Sequence, residues 1–123
     1  MSSMLGLRTV IYKVSDLTAA KAWYAQAFET QPYFDEVFYV GFNIGGYELG
    51  LQPENASSTT KTANVLAYWG VEDVVAVAER LIGQGATLHE APEEVGGGIV
   101  VATLHDPWGN VLGLIYNPHF ELK

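Results

Sequence analysis

The sequence predicts one α+β domain that is built from two copies of a β-α-β-β-β unit. Three observations support this prediction: the length of the chain, a polar connector near its middle, and a pattern of helix and strands that repeats on either side. The 123 residues suffice for one hydrophobic core and are too few for two independent domains. The connector, residues 53–62, is small, polar and aperiodic, which is typical of a link between two organised segments.

The two predicted helices show the repeat most clearly. Val14–Leu17 opens the first helical segment and Val71–Val74 opens the second, at an offset of 57 residues (71 − 14). Ser15 or Asp16 is expected to cap the first helix and Asp73 the second, since their side chains can accept hydrogen bonds from free backbone N–H groups. The apolar positions of each helix form one stripe, which comprises Leu17, Ala20 and Tyr24 in the first and Val74, Val77 and Leu81 in the second.

The strands repeat in the same order. Gly46–Pro53 resembles Asn110–Pro118, and each segment is the last strand of its unit. The segments predicted for the first unit are a strand at 5–14, a helix at 17–28, and strands at 31–35, 37–43 and 46–52. Those predicted for the second are a strand at 63–71, a helix at 73–84, and strands at 86–90, 98–105 and 110–116. We therefore expect module 1 at about 5–52, a linker at 53–62, module 2 at about 63–116 and a tail at 117–123.

Composition and charge exclude several classes of function. The chain has no cysteine, which removes disulfides, thiolate metal sites and cysteine nucleophiles together. Six basic and 14 acidic residues give a net charge of −8, which disfavours nucleic acid as a partner. No apolar run approaches the roughly 18 residues of a membrane span, and no secretion signal is recognisable, so we expect no membrane partner and a cytoplasmic location.

The segment Asp106–Asn110 predicts a tight hairpin turn. Pro107 fixes φ at the turn, and both Gly109 and Asn110 tolerate a positive φ. Trp108 lies at the tip of this turn and is a candidate ligand contact.

Two motifs resemble those of a known superfamily. Val14–Leu17, followed by Trp23-Tyr24 and Ala27-Phe28, is similar to the first-module signature of the vicinal oxygen chelate superfamily, and Asp106–Asn110 before a short apolar strand is similar to the second. The superfamily includes glyoxalase I, extradiol dioxygenases, fosfomycin resistance proteins and bleomycin-binding proteins. The resemblance covers nearly the whole chain and implies curved mixed sheets around a cup-shaped cavity. It also implies a homodimer.

The residues that face such a cup follow from parity, because side chains alternate across a strand. The inward sets are Thr9, Ile11 and Lys13; Glu48, Gly50 and Gln52; Asn64, Leu66 and Tyr68; and Val111, Gly113 and Ile115. This lining is mostly apolar and aromatic with a few polar groups, which suits a small organic ligand. The expected ligand-binding residues are Thr9, Ile11, Lys13, Glu48, Gly50, Leu66, Tyr68, Trp108 and Gly113.

The metal-ligand positions of the superfamily carry unsuitable residues in this chain. The metalloenzymes place one His, Gln or Glu on each of four strands, and the corresponding positions here are Thr9, Gly50, Leu66 and Gly113. Leucine and glycine bring no donor atom on a side chain, and a threonine hydroxyl alone does not hold zinc, nickel or iron. We therefore expect neither a metal ion nor another cofactor.

The three histidines are His89, His105 and His119, at different places in the second module. With no i, i+4 pair among them, each is expected to be exposed or locally hydrogen-bonded. His119 lies in the tail, from which it could reach an edge of the cup.

Two classes of function remain open. The first and favoured one is a metal-independent binding protein, similar to the bleomycin-binding members, for an aromatic and cationic compound. The second is a glyoxalase-, lyase- or dioxygenase-like enzyme. It is either a lyase or isomerase with Glu48 as the candidate catalytic base, because an apolar cup would raise the pKa of Glu48 towards neutrality, or a metalloenzyme whose ligands lie at a different register from the positions given above. The identity of the ligand, and whether the protein confers antibiotic resistance, are not determined by the sequence.

Overall fold

The computed structural model describes residues 3, 7–54, 61 and 65–120. The chain divides into two compact units, Met1–Thr60 and Lys61–Lys123, and their boundary falls within the predicted linker. Most of that linker, the inward candidate Asn64 and the last three residues of the tail lie outside the described residues. Whether the two units form a single domain stays a prediction.

Each unit has the order strand, helix, strand, strand, strand. Unit 1 contains β1 (Thr9–Val14), α1 (Leu17–Ala27), β2 (Phe34–Glu36), β3 (Tyr39–Ile44) and β4 (Tyr47–Pro53). Unit 2 contains β5 (Tyr68–Gly70), α2 (Val74–Gly83), β6 (Thr87–Glu94), β7 (Val100–His105) and β8 (Val111–Tyr116). The predicted α+β class and the repeated unit are therefore confirmed.

The two sheets share one topology. Unit 1 has the strand order β1-β4-β3-β2 and unit 2 the order β5-β8-β7-β6. In each sheet the first strand pairs in parallel with the last, and the remaining pairs are antiparallel. β5 begins five residues later than predicted, at Tyr68, and β2 three residues later, at Phe34. β6 extends to Glu94 and contains two register shifts against β7.

Both helices begin at a capping aspartate. The Asp16 carboxylate accepts a hydrogen bond from the backbone N–H of Ala19 at 3.0 Å, and Asp73 accepts one from Ala76 at the same distance. Of the two caps that the sequence allows for α1, the structure selects Asp16. Beyond the end of α2, Gly85 has a φ of +114°, a value that glycine adopts without a steric penalty.

A separate hydrophobic layer lies between helix and sheet in each unit. In unit 1, α1 buries Ala20, Tyr24 and Ala27, and the Tyr24 ring stacks on Tyr12 with 5.7 Å between ring centroids. In unit 2, α2 buries Val74, Ala78 and Leu81. The predicted stripes are correct at four of six positions, since Leu17 and Val77 are only half-buried. The strands contribute the fully buried Leu49, Leu51, Leu104 and Leu112.

The parity expected for the strands is visible in their burial. In β1 the side chains of Tyr12 and Val14 are buried, whereas those of Thr9, Ile11 and Lys13 are exposed. We call the sheet face that carries the second set, opposite the helix, the inner face; in unit 2 it is the face of Gly113 and Thr103. No helix within the described residues is long and apolar enough to cross a membrane.

Candidate functional site

A cluster of hydroxyl groups surrounds Glu48 on the inner face of unit 1. The parallel pairing of β1 with β4 places Thr9 opposite Glu48, while β3 brings Tyr39 across the same face. The Glu48 carboxylate accepts a hydrogen bond from the Tyr39 hydroxyl at 2.9 Å and another from the Tyr33 hydroxyl. The Thr9 side chain also hydrogen-bonds within this cluster. Three hydroxyl-bearing residues thus converge on one partly exposed carboxylate.

These hydrogen bonds lower the pKa of Glu48. The Tyr33 hydroxyl makes the largest contribution, and those of Thr9 and Tyr39 add to it, because each stabilises the charged form. Burial opposes them but is outweighed. The expectation of a raised pKa at Glu48 is therefore wrong: the inner face supplies hydroxyl donors where an apolar surface was assumed. A carboxylate with a lowered pKa is a poor base and a persistent negative charge.

The tyrosines of this cluster stay protonated as donors. The hydrogen bond to Glu48 is the main reason why the pKa of Tyr33 is raised, and desolvation is the main reason at Tyr39. Each of the two rings lies against a glycine. A Cβ on Gly50 would lie 2.6 Å from Cζ of Tyr39, and one on Gly41 would lie 3.3 Å from Cε1 of Tyr33. The glycines therefore leave room for the two rings close to the sheet.

The inner face of unit 2 repeats this arrangement with different residues. Gly113 of β8 pairs with Tyr68 of β5, and a Cβ on Gly113 would lie 2.7 Å from Cδ1 of the Tyr68 ring. Tyr68 and the preceding Leu66 keep about two fifths of their surface exposed, at 40% and 39%. Gly50 and Gly113, two of the expected ligand-binding residues, thus both lie beneath tyrosine rings.

The Asp106 turn is organised by its own carboxylate. The buried Asp106 accepts hydrogen bonds from the backbone N–H groups of Trp108 at 2.9 Å and Asn110 at 2.8 Å, and from the Asn110 side-chain amide at 3.0 Å. Gly109 has a φ of +85°, as predicted for the turn, whereas Asn110 does not enter the positive region. The motif is therefore structural, and the role of the half-buried Trp108 in ligand binding stays a prediction.

A second polar cluster lies on β6 and β7 of unit 2, and the sequence did not reveal it. The rings of His89 and His105 lie 4.6 Å apart between centroids, and Nδ1 of His89 lies 3.0 Å from the hydroxyl of Thr103. The Thr103 hydroxyl donates to the carboxylate of Glu90 at 2.9 Å. Residues 103 and 105 share one strand face by parity, and the pairing of Leu88 with Leu104 leads on to His89 and Thr103; the register shift before Glu90 then places Glu90 opposite Thr103 as well. That shift has no signal in the sequence.

His119 lies away from this pair. Its Nε2 hydrogen-bonds to the backbone carbonyl of Gly97 at 2.7 Å, so this contact holds the His119 ring. The prediction of a locally hydrogen-bonded histidine is confirmed for His89 and His119.

The inner faces do not fit the metal site of the metalloenzymes. The positions that correspond to the ligands carry Thr9, Gly50, Leu66 and Gly113, and tyrosine rings lie over both glycines. Within residues 7–54, 61 and 65–120, no three His, Asp or Glu side chains lie close enough together to hold a metal ion. The donor set therefore differs in kind from one that binds zinc, nickel or iron.

Two β-α-β-β-β units, each with a polar cluster on the inner face of its sheet, define a module-repeat protein of the vicinal oxygen chelate class. The model of the Glyoxalase/Bleomycin resistance protein/Dioxygenase superfamily matches residues 6–114. The chain belongs to this superfamily, which confirms the resemblance of its two motifs. No curated protein matches the sequence.

Solved structures with the same fold span almost the whole chain. A glyoxalase-related enzyme from Fulvimarina pelagi is 18% identical, with a TM-score of 0.81 over 98% of this chain and 94% of that one. A glyoxalase/bleomycin resistance protein/dioxygenase family enzyme from Burkholderia phytofirmans PsJN is 26% identical, with a TM-score of 0.76 over 88% and 95%. A fosfomycin resistance protein from Listeria monocytogenes is 18% identical, with a TM-score of 0.74 over 97% of each chain.

Proposed function

We propose that the protein binds a small aromatic and cationic compound without a metal ion, and that Glu48 is its anchor. The observation that carries this proposal is the Glu48 carboxylate on the inner face of unit 1, whose charge is maintained by the hydroxyls of Tyr33, Tyr39 and Thr9. A fixed negative charge among aromatic rings is complementary to a ligand that carries a positive charge beside an apolar ring.

The aromatic rings add to this attraction. A cation over a tyrosine face gains about 0.5–2 kcal/mol, depending on its solvation. The Tyr33 side chain is 64% exposed, so its ring is accessible to a ligand that approaches Glu48. The net charge of −8 raises the local concentration of cations and the rate at which they meet the protein.

Binding is favoured over catalysis because Glu48 is a poor proton acceptor. A general base works best when its pKa lies near the operating pH, and the pKa of Glu48 is shifted away from neutrality. A glyoxalase-, lyase- or dioxygenase-like activity is the alternative function, and it would need a different base. The Fulvimarina, Burkholderia and Listeria proteins share the fold with this chain, and that fold supports many chemistries.

The test compares matched ligands by calorimetry. Benzylammonium and benzoate have similar size and shape and opposite charge, and each is titrated at about 20 mM and about 200 mM salt to vary the Debye screening. The proposal predicts tighter binding of benzylammonium, weakening at high salt, and loss of that preference in Glu48→Gln. Tighter binding of benzoate would contradict it, would indicate Lys13 as the anchor and would favour the enzyme alternative.

We also propose that the protein is a homodimer. The edge strand β2 and the hairpin after it expose Phe34, Val37 and Phe38 to 39%, 90% and 62%, and exposed apolar groups of this kind are typical of interaction surfaces. Sedimentation velocity over a concentration series tests this proposal, and a constant monomer mass would contradict it. The cytoplasmic location stays a prediction.

A further inference from the structure

We propose that His89 forms a second ligand site, in unit 2, at which its Nε2 atom accepts a hydrogen bond and then the proton of a weakly acidic O–H or N–H group, such as that of a phenol. This site does not depend on Glu48 or on the cationic ligand proposed for unit 1. It rests on the hydrogen-bond chain that joins Glu90, Thr103 and His89 on the strands β6 and β7.

The chain of hydrogen bonds determines which nitrogen of His89 carries the proton. A threonine hydroxyl has one proton to donate, and that of Thr103 is donated to Oε1 of Glu90 at 2.9 Å, because a carboxylate can only accept. The same hydroxyl lies 3.0 Å from Nδ1 of His89, so it must accept a proton from that nitrogen. Neutral His89 is therefore the Nδ1–H tautomer, and its lone pair is on Nε2.

The Nε2 atom is accessible to a ligand. The side chain of His89 is 42% exposed, whereas Thr103, which orients it, is 1% exposed and cannot move freely. No side chain or backbone group among the described residues is hydrogen-bonded to Nε2. Thr103 therefore fixes the ring through Nδ1, while Nε2 is accessible to a ligand. This is the arrangement of an oriented proton acceptor.

Two titratable groups face this ring. From β6, the Glu90 carboxylate lies 4.0 Å from Nδ1; from β7, the neighbouring His105 ring lies 4.6 Å away. When a phenol binds, its O–H bond breaks, a bond forms between that proton and Nε2, and the electron pair stays on the phenolate oxygen. The resulting imidazolium keeps its Nδ1–H bond to Thr103. Thr103 and Glu90 are positioning residues in this step.

His119 supplies an internal reference with the opposite tautomer. Its Nε2 lies 2.7 Å from the carbonyl oxygen of Gly97, which can only accept, so Nε2 of His119 carries the proton. The two histidines therefore differ in which ring nitrogen carries the proton, and a single NMR spectrum can distinguish the two tautomers.

The first test is the long-range ¹H–¹⁵N spectrum of the full-length protein at about pH 8.5, where an ordinary imidazole is neutral. We expect the Nδ1–H pattern for His89 and the Nε2–H pattern for His119. In Thr103→Val the His89 signals should move towards a mixture of tautomers, and in Thr103→Ser, which keeps a hydroxyl, the wild-type pattern should return. The Nε2–H pattern at His89 in the wild-type protein would overturn the proposal.

The second test uses 4-nitrophenol as the probe, because its phenolate absorbs visible light and the phenol does not. At a pH below the pKa of the probe, we expect the protein to increase the phenolate absorbance and to shift the Nε2 resonance of His89. Loss of the orienting hydrogen bond in Thr103→Val should weaken the probe's affinity about 2- to 10-fold, the effect of one such bond, whereas Thr103→Ser and the control His119→Gln should not. An unchanged His89 resonance at saturating probe, or an equal effect in His119→Gln, would rule out a site at His89.

Discussion

The hydroxyl end of the Tyr39 ring lies against Gly50, on the inner face of unit 1, while its hydroxyl donates to Glu48. The glycine and the tyrosine are on neighbouring antiparallel strands, and a side chain at position 50 would collide with the ring. Gly50 corresponds to a metal-ligand position in the metalloenzymes of the superfamily. In this chain the position accommodates the aromatic ring of Tyr39 instead.

Gly50→Ala should destabilise the protein by roughly 1–3 kcal/mol, the usual effect of overpacking. The added Cβ would lie 2.6 Å from Cζ of Tyr39, so the ring must move away from Glu48. Urea denaturation measures the change, and a double-mutant cycle with Tyr39→Ala should show that most of the loss depends on the ring. Gly70→Ala is the matched control, because nothing lies within 4 Å of the Cβ position at Gly70.

Leu81→Ala should lower the free energy of unfolding by about 2–5 kcal/mol, because it opens a cavity beneath α2. The side chain of Leu81 is 2% exposed, whereas that of its neighbour Ile82 is 42% exposed. Ile82→Ala therefore serves as the control and should cost much less. A change at Leu81 below about 0.5 kcal/mol, the range of surface substitutions, would show that this helix face is not packed as described.

The carboxylate of Glu48 should titrate below the ordinary glutamate pKa of about 4.3. Because the folded-state pKa is lower than the unfolded one, Glu48 stabilises the protein above the unfolded pKa, and this contribution is lost as the pH falls through the folded pKa. NMR detection of the Glu48 side-chain carbon gives its pKa directly. Denaturation of wild-type protein and Glu48→Gln across the acid range gives the corresponding difference in stability, which should shrink as the pH falls.

The source of that shift is tested by removing single hydroxyls. Tyr33→Phe should raise the pKa of Glu48 more than Tyr39→Phe does, since the Tyr33 hydrogen bond makes the largest contribution. Equal effects, or a Glu48 pKa above its ordinary value in the wild-type protein, would contradict the described cluster.

Protein purified without chelator should contain no stoichiometric zinc, nickel, iron or manganese, and EDTA should leave its melting temperature unchanged. The reason is that Thr9, Gly50, Leu66 and Gly113 occupy the positions of the superfamily's metal ligands. Elemental analysis by mass spectrometry tests the first expectation and thermal denaturation the second. One metal ion per chain at a site that includes Glu48 would contradict both.

The elements and their faces follow largely from the sequence. The 57-residue offset between Asp16 and Asp73 identified both helix starts, because an N-cap depends on local chemistry. Alternation along β1 identified the face of Thr9, Ile11 and Lys13, all of which are exposed, because parity is a property of a single strand. The ends of strands were less predictable: β5 is only three residues long, since pairing with β8 decides where it begins.

The sequence by itself determined the fold class, the superfamily and the absence of metal-ligand residue types at the four strand positions, all of which depend on residue identity and spacing. Only the tertiary structure decided the chemistry of the inner faces. The pKa of Glu48 depends on hydroxyls up to 39 positions away in sequence (48 − 9), and Glu90 meets Thr103 through a register shift in β6. Such properties arise from the pairing of strands, because hydrogen bonds and desolvation depend on distances in space and no local pattern encodes them.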